Sequence, residues 1–418
     1  MVSIARKNLF EDIPRFLVAQ AGIMFAVSLV TIQTGIFNGV IRSTIVLVEG
    51  SRADIWVASK KMVHLELTEP LLYDSVRKTE EIEGVARAEG LNIGSARWSV
   101  PNGKLTVIKI FGFNPRKGLF VPGQLLKGKV ANLSRQPYTV ILDKSKLKSL
   151  GVSKIEDRAQ IRSLPAKVAG ITQDTQSIVA STYIFASLET ANAYLSANIS
   201  SRLDCKWILG DIKCINVYEK VDPDSKPEEL KNKLPEPLSI NDPILYVLVK
   251  AESDENLQQL KRRIEATIPE SRAYTKQEMI HKIRTFWQRS TGIGFILGLG
   301  AVVGVIVGMV IVGQILYSSV SDHLKEFGTL KAMGASNKII YGVIVEQALW
   351  MAILGYIPGM LLCWGLGTWT LVSQGIVILI TPMTAVGVFG ITVFMCVGSA
   401  LFAIQKVSHV DPAIVFKA

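Results

Sequence analysis

The chain has little of what carries catalysis. Its four histidines, His64, His281, His323 and His409, are scattered, so no metal-binding pair is visible. There is no Walker A run and no nucleophile elbow, which leaves no recognisable machinery for hydrolysing ATP or transferring acyl groups. No cofactor or metal is therefore expected. Cysteine is also scarce, at four residues. Cys363 and Cys396 sit in apolar runs as small packing residues. Cys205 and Cys214 are candidates for a disulfide if their domain lies outside the cytoplasm, although sequence does not fix their separation. Charge is missing altogether from Ser290 to Ser321, and Glu346 is the only charge between Lys338 and Lys406. A net charge of +11 could point to nucleic acid, but no aromatic–basic interleaving accompanies it, so nucleic acid is excluded as a partner.

The uncharged runs are long. A membrane span needs ~20 mostly apolar residues, and four segments qualify: about Phe16 to Ile41, a stretch within Ser290 to Ser321, Ile339 to Val372, and Ala385 to Ile404. The first is too long for a signal-peptide core and has no small-residue cleavage site after it, so it reads as a retained anchor. Thr381-Pro382-Met383-Thr384 marks the turn between the last two spans. The fold class is thus a membrane α-helical protein with one span, a large extracytoplasmic α+β domain, and three more spans. The expected domains are 1–46, a surface helix and first span; 47–283, the outer domain; and 284–418, the three-span part with a cytoplasmic tail.

Basic residues set the sidedness. Arg6, Lys7 and Arg15 precede span one, Lys325, Lys331 and Lys338 lie between spans two and three, and Lys406 and Lys417 follow span four. Four spans put these three regions on one side, the cytoplasm. Arg42, Lys282, Arg284 and Arg289 argue the other way, but large domains translocate largely regardless of charge.

Ser3 to Arg15 reads as an amphipathic surface helix. In the outer domain, strands are expected at 53–58, 105–111, 166–171, 183–186 and 244–249, and helices at 188–195 and 255–268. His281 to Trp287 is expected to continue helically into span two. An uncharged run of about 32 residues is ~48 Å of helix, which reads as a stalk or as a tilted span. Gly300, Gly304 and Gly308 share one helix face and predict close helix packing, within the chain or between two copies. Glu346, about two turns into span three, is either a functional intramembrane group or a solvated one near the interface.

The most distinctive feature is the charged helix at 322–335 between two uncharged runs. Leu324, Phe327, Leu330 and Met333 recur at three-residue steps, Lys325, Glu326 and Lys331 stay polar, and Gly334 suits the stop. The stripe could contact a partner or lie on lipid.

These residues carry a resemblance. Lys325-Glu326-Phe327-Gly328-Thr329-Leu330-Lys331-Ala332-Met333-Gly334-Ala335 resembles the coupling segment of MacB/FtsX/LolC-type ABC transporter permeases. Ala5-Arg6-Lys7-Asn8-Leu9 resembles their surface helix and Asp411-Pro412-Ala413-Ile414 their ending. Ala53-Asp54-Ile55-Trp56-Val57 together with Asp322 to Gly328 looks closest to the DevC-type branch of cyanobacterial exporters. Many relatives carry Arg-Glu-Ile-Gly where this chain has Lys325-Glu326-Phe327-Gly328, which leaves docking expected and partner choice open.

The resemblance implies a permease dimer in the inner membrane, with both termini cytoplasmic and a separate ABC ATPase docked on Leu324, Lys325, Glu326, Phe327, Gly328, Leu330, Lys331, Met333 and Gly334. It also implies a MacB-like periplasmic domain that moves a lipid-like cargo, glycolipid by family precedent, into a membrane-fusion adaptor and an outer-membrane channel. The alternatives are an FtsX-like mechanotransmitter that activates an envelope hydrolase without transport, and a receptor with no ATPase at all.

Overall fold

A computed structural model describes residues 11–100, 105–175, 181–197, 201–208, 211–218, 234–333, 335–374 and 377–408. The surface helix expected at Ser3 to Arg15 lies mostly outside the described residues, as do the Asp411 to Ile414 ending and Gly334. The chain divides into two compact units, Met1–Val40 with Thr291–Ala418, and Ile41–Ser290. Four helices are long and apolar enough to cross a membrane, and the α+β unit falls between the first and second of them.

Helix α1 (Ile13–Gly50) is one uninterrupted helix of 38 residues. The α+β unit then begins with β1 (Ile55–Ser59), β2 (Leu71–Leu72), α2 (Asp74–Glu80), β3 (Val85–Ser99), β4 (Leu105–Phe113) and β5 (Gln124–Gly128). It continues with α3 (Asn132–Arg135), β6 (Thr139–Asp143), β7 (Arg158–Ile161), β8 (Leu164–Gln173), β9 (Thr182–Ser187) and α4 (Leu188–Ser196). The hairpin β10 (Ser201–Ile208) and β11 (Asp211–Tyr218) precedes β12 (Pro243–Ile244), β13 (Tyr246–Ala251), α5 (Leu257–Thr267), β14 (Ser271–Thr275) and α6 (Lys276–Arg289).

The sheet follows the order β14-β1-β13-β3-β4-β9-β6-β8-β5, with β7 joining β3 to β8. The fifteen-residue β3 organises it. The first half of that strand pairs with β13, Leu91 opposite Tyr246, and its second half with β4, Asn92 opposite Gly112. One strand thereby joins the two halves of the sheet. Trp56, Phe111, Phe113, Phe120, Phe185 and Tyr246 form one core that draws on both halves. Leu260 and Ile264 of α5 pack with Ile55, Val57, Val247 and Val249 of β1 and β13, and Trp98 and Tyr194 pack with Ile108, Ile110 and Ile184 of β4 and β9. Full burial of such side chains is worth roughly 1.5–3 kcal/mol each.

Local chemistry fixes the helix starts. The Asn256 side chain accepts from the Gln258 and Gln259 amides, and Thr275 with Glu278 forms a capping box on α6. In the register of β10 and β11, Cys205 is the Cα partner of Cys214. Their side chains, and so the disulfide, lie outside what is described.

The membrane unit contains the first part of α1, then α7 (Gly292–Asp322), α8 (Leu324–Ala332), α9 (Asn337–Gln374) and α10 (Pro382–Ser408). The helical continuation expected through His281 to Trp287 into span two is broken. Helix α6 ends at Arg289, and Thr291, with φ −107° and ψ 139°, is extended before α7 starts. Pro382 is the first residue of α10 rather than a turn residue. A missing amide costs nothing in a helix's first turn, and the Thr381 and Thr384 side chains accept from each other's amides at 3.1 and 2.8 Å.

Candidate functional site: the short helix between spans two and three

Helix α8 follows α7 after a single residue. His323, with φ −93° and ψ 17°, belongs to neither helix. Its amide donates to the Ser319 carbonyl at 3.2 Å and its carbonyl accepts from the Phe327 amide at 3.1 Å, so the backbone turns without losing its bonds. At the far end the Ala335 amide donates to the Leu330 carbonyl at 2.9 Å. Glu326 lies in the first turn and Lys331 in the last, each at the helix end its charge favours.

The expected apolar stripe divides. Phe327 is 2% exposed and buried in the core of the membrane unit, and Leu324 and Leu330 pack against that core. Gly328 is buried too. These residues anchor α8 from behind. Met333 is 72% exposed, the Glu326 side chain 59%, and Thr329 is exposed as well. Glu326, Thr329 and Met333 stand at i, i+3 and i+7, which is one outward face. Thr329 was not among the expected contacts. Its only sequence signal is that it shares the spacing of Glu326 and Met333. Lys331 is half-buried, and the Lys325 side chain lies outside what is described.

The neighbouring helix ends are tied together inside this unit. Arg15, near the start of α1, donates to Asp12 at 2.9 Å and also to Asp322, the last residue of α7. His323 Nδ1 stands 3.2 Å from Glu326 Oε1. A cavity of about 340 Å³ opens here, lined among others by Arg15, Asp322, His323, Glu326, Gln347 and Met351. Gln347 is 2% exposed, and its side-chain carbonyl has no hydrogen-bond partner among the described residues. Glu346, one residue earlier, is half-buried and unpaired among the described residues.

Three glycines of α7 face helices of the same chain. A Cβ on Gly300 would collide with Gln33, one on Gly304 would press on Leu29, and one on Gly308 would strike Met395 and Ala26. Gly355 and Gly359 of α9 are likewise filled by Ile23 and Val27 of α1. Helix α1 is thus packed closely on two sides, as small-residue faces allow. Among the described residues no cluster of three metal-ligating side chains occurs.

Comparison with known proteins places both parts. Residues 298–412 match the model of the FtsX-like permease C-terminal domain, and residues 16–267 match that of the MacB-like periplasmic core domain. No curated protein matches the chain significantly. Among solved structures, it is similar to the periplasmic region of MacB from Actinobacillus actinomycetemcomitans, at 11% identity over 56% of this chain and 95% of that one, with a TM-score of 0.37. It is also similar to the extracellular domain of the noncanonic ABC-type transporter YknZ from Gram-positive bacteria, at 10% identity over 53% and 99%, with a TM-score of 0.33.

Proposed function

The chain belongs to the MacB/FtsX-like family of ABC permeases, and on that premise we propose that it couples ATP hydrolysis by a separate ATPase to export of a lipid-like cargo. One observation carries this reading: α8 is buried behind at Phe327 and open in front at Glu326, Thr329 and Met333. A helix that merely lay on lipid would turn its apolar side outward. This one turns most of that side into its own protein and presents a mixed polar face, which suits a protein cleft.

In the proposed cycle, two copies of the chain bind two ATPase subunits on the cytoplasmic face. Closure of the ATPases displaces α8, and Phe327 and Arg15–Asp322 pass the displacement to the spans. The periplasmic unit then moves cargo toward a membrane-fusion adaptor and an outer-membrane channel, as in the DevC-type branch. Both termini lie in the cytoplasm.

The test is co-purification from native membranes. The native chain is expected to bring down an ABC ATPase together with an adaptor. Glu326→Arg with Met333→Asp should lower ATPase recovery at least tenfold while the variant stays folded. Unchanged recovery would refute α8 as the docking element. An ATPase recovered with an envelope hydrolase and no adaptor would refute export.

A further inference from the structure

A second cavity, far in sequence from α8, lies wholly within the α+β unit. It measures about 420 Å³ and is lined by ten residues, of which five are cationic: Arg52, Arg87, Lys117, Lys250 and Lys276. Asp54 is the only acidic residue in the lining. Five separate segments bring these charges together, and main-chain hydrogen bonds lock several of them. The Arg52 amide donates to the Leu119 carbonyl at 2.8 Å, Asp54 to Val249 at 2.8 Å, and Lys276 to Asp54 at 2.9 Å. The Glu89 carboxylate, itself 1% exposed, accepts from the Leu119 and Phe120 amides at 3.1 and 2.8 Å and holds the 117–120 turn against β3.

Only two of the five cations meet a carboxylate. Asp54 takes the Lys250 ammonium at 2.9 Å, and Glu80, outside the lining, takes Lys117. Arg87 donates only to a carbonyl, that of Lys117, at 2.5 Å, and Lys276 likewise to that of Ser51 at 2.7 Å. The Arg52 side chain has no partner among the described residues. Three cations therefore converge with neutral partners or none. Lys276 is also the first residue of α6, where the helix dipole favours an anion and disfavours a lysine. Such an arrangement suits a group that accepts several charged donors at once.

We propose that this cavity binds a phosphoryl anion, with Arg52 and Arg87 at the mouth and Lys276 within. Guanidinium groups match phosphate oxygens in pairs, and an ammonium adds a point charge. Ala53, Gly118 and Leu119 supply an uncharged wall for the part of the ligand that carries the phosphate. The volume lies within the range of small-molecule sites. The same chemistry could come from free phosphate or from a phospholipid headgroup. The inference concerns the α+β unit alone and does not depend on the ATPase or on export.

The test uses the full chain in a phosphate-free, non-ionic detergent at fixed ionic strength. Inorganic phosphate and dihexanoyl phosphatidylglycerol are titrated separately by calorimetry. Binding is expected with at least one probe, and Arg52→Gln and Arg87→Gln should each weaken it at least tenfold. Lys129→Gln, an exposed change elsewhere on the unit, should leave it unchanged. Arg52 has no partner to lose, so that variant should melt like the native chain and keep the test valid. Equal affinity for both probes assigns the site to the phosphoryl group itself, and binding of the lipid alone assigns it to a headgroup. Binding of neither probe, or equal effects of Arg52→Gln and Lys129→Gln, would overturn the proposal.

Discussion

The two units differ in how completely they satisfy buried polar groups. In the α+β unit, Glu89 is met by two backbone amides, and Asp143 accepts from the amides and hydroxyls of both Ser145 and Thr175 at 2.7–2.9 Å. In the membrane unit, both amide atoms of Gln20, the hydroxyl of Ser28 and the carbonyl of Gln347 are buried without partners, and these are the only such side-chain atoms among the described residues. An unmade bond costs about 1–3 kcal/mol, and more where lipid replaces water. The α+β unit is thus built toward one arrangement. The membrane unit leaves several polar groups unmet, and one of them, Gln347, lines the same cavity as His323 and Glu326 of the α8 region.

The comparison can be broken first at its cores. Trp56→Ala in the α+β unit should cost about 3–5 kcal/mol, seen as loss of hydrogen-exchange protection across β1 and β13. In the membrane unit the opposite change should be as severe. Gly308→Leu puts bulk where Met395 and Ala26 already touch, so little folded protein should survive size-exclusion chromatography. If Gly308→Leu folds normally, the close packing of α7 on α1 and α10 is wrong.

Glu89 gives a pH-dependent contrast. Burial raises its carboxyl from the ordinary 4.5 to about 7, and the Leu119 and Phe120 amides offset only part of that. Between pH 4.5 and 7 the folded unit keeps a proton that the unfolded chain has already lost. Stability should therefore fall as pH rises through this window, by on the order of 3 kcal/mol, and level off above about 7. Hydrogen exchange of β3 and β4 in the full chain reads this directly, and Glu89→Gln should remove most of the slope. An unchanged slope would assign the effect to another group.

A smaller effect is expected at Gln347. Gln347→Leu removes the orphan carbonyl, so it should raise the melting temperature of the full chain by a modest amount, on the scale of 1–3 kcal/mol. If the orphan group belongs to a moving part, the same variant should also lower ATPase activity of the assembled complex. A stabilised variant with native activity would mean that the unmet group has no part in coupling.

Much of this was legible in the sequence, for physical reasons. Uncharged runs bounded by charge marked the spans, and α8 stood out as a charged helix between two of them. Strand alternation was readable at Leu105 to Phe111, where β-branched and aromatic residues dominate. It failed at β3, the strand that organises the sheet. Gly90 and Gly94 interrupt its pattern there because α4 lies against them, with Leu188 and Leu195 filling the space of a side chain. The face of α8 was not legible either. Three-residue steps state that Leu324, Phe327 and Leu330 share a side, but only the packed helices show that this side turns inward.

The most direct measurement places a photo-crosslinking residue on α8 in living cells. At Met333 it should yield a covalent product containing an ABC ATPase subunit, identified by mass spectrometry. At Phe327, buried in the membrane unit's own core, it should yield none. An ATPase product from Phe327 but not from Met333, or products containing only lipid at Met333, would contradict docking through the outward face of α8.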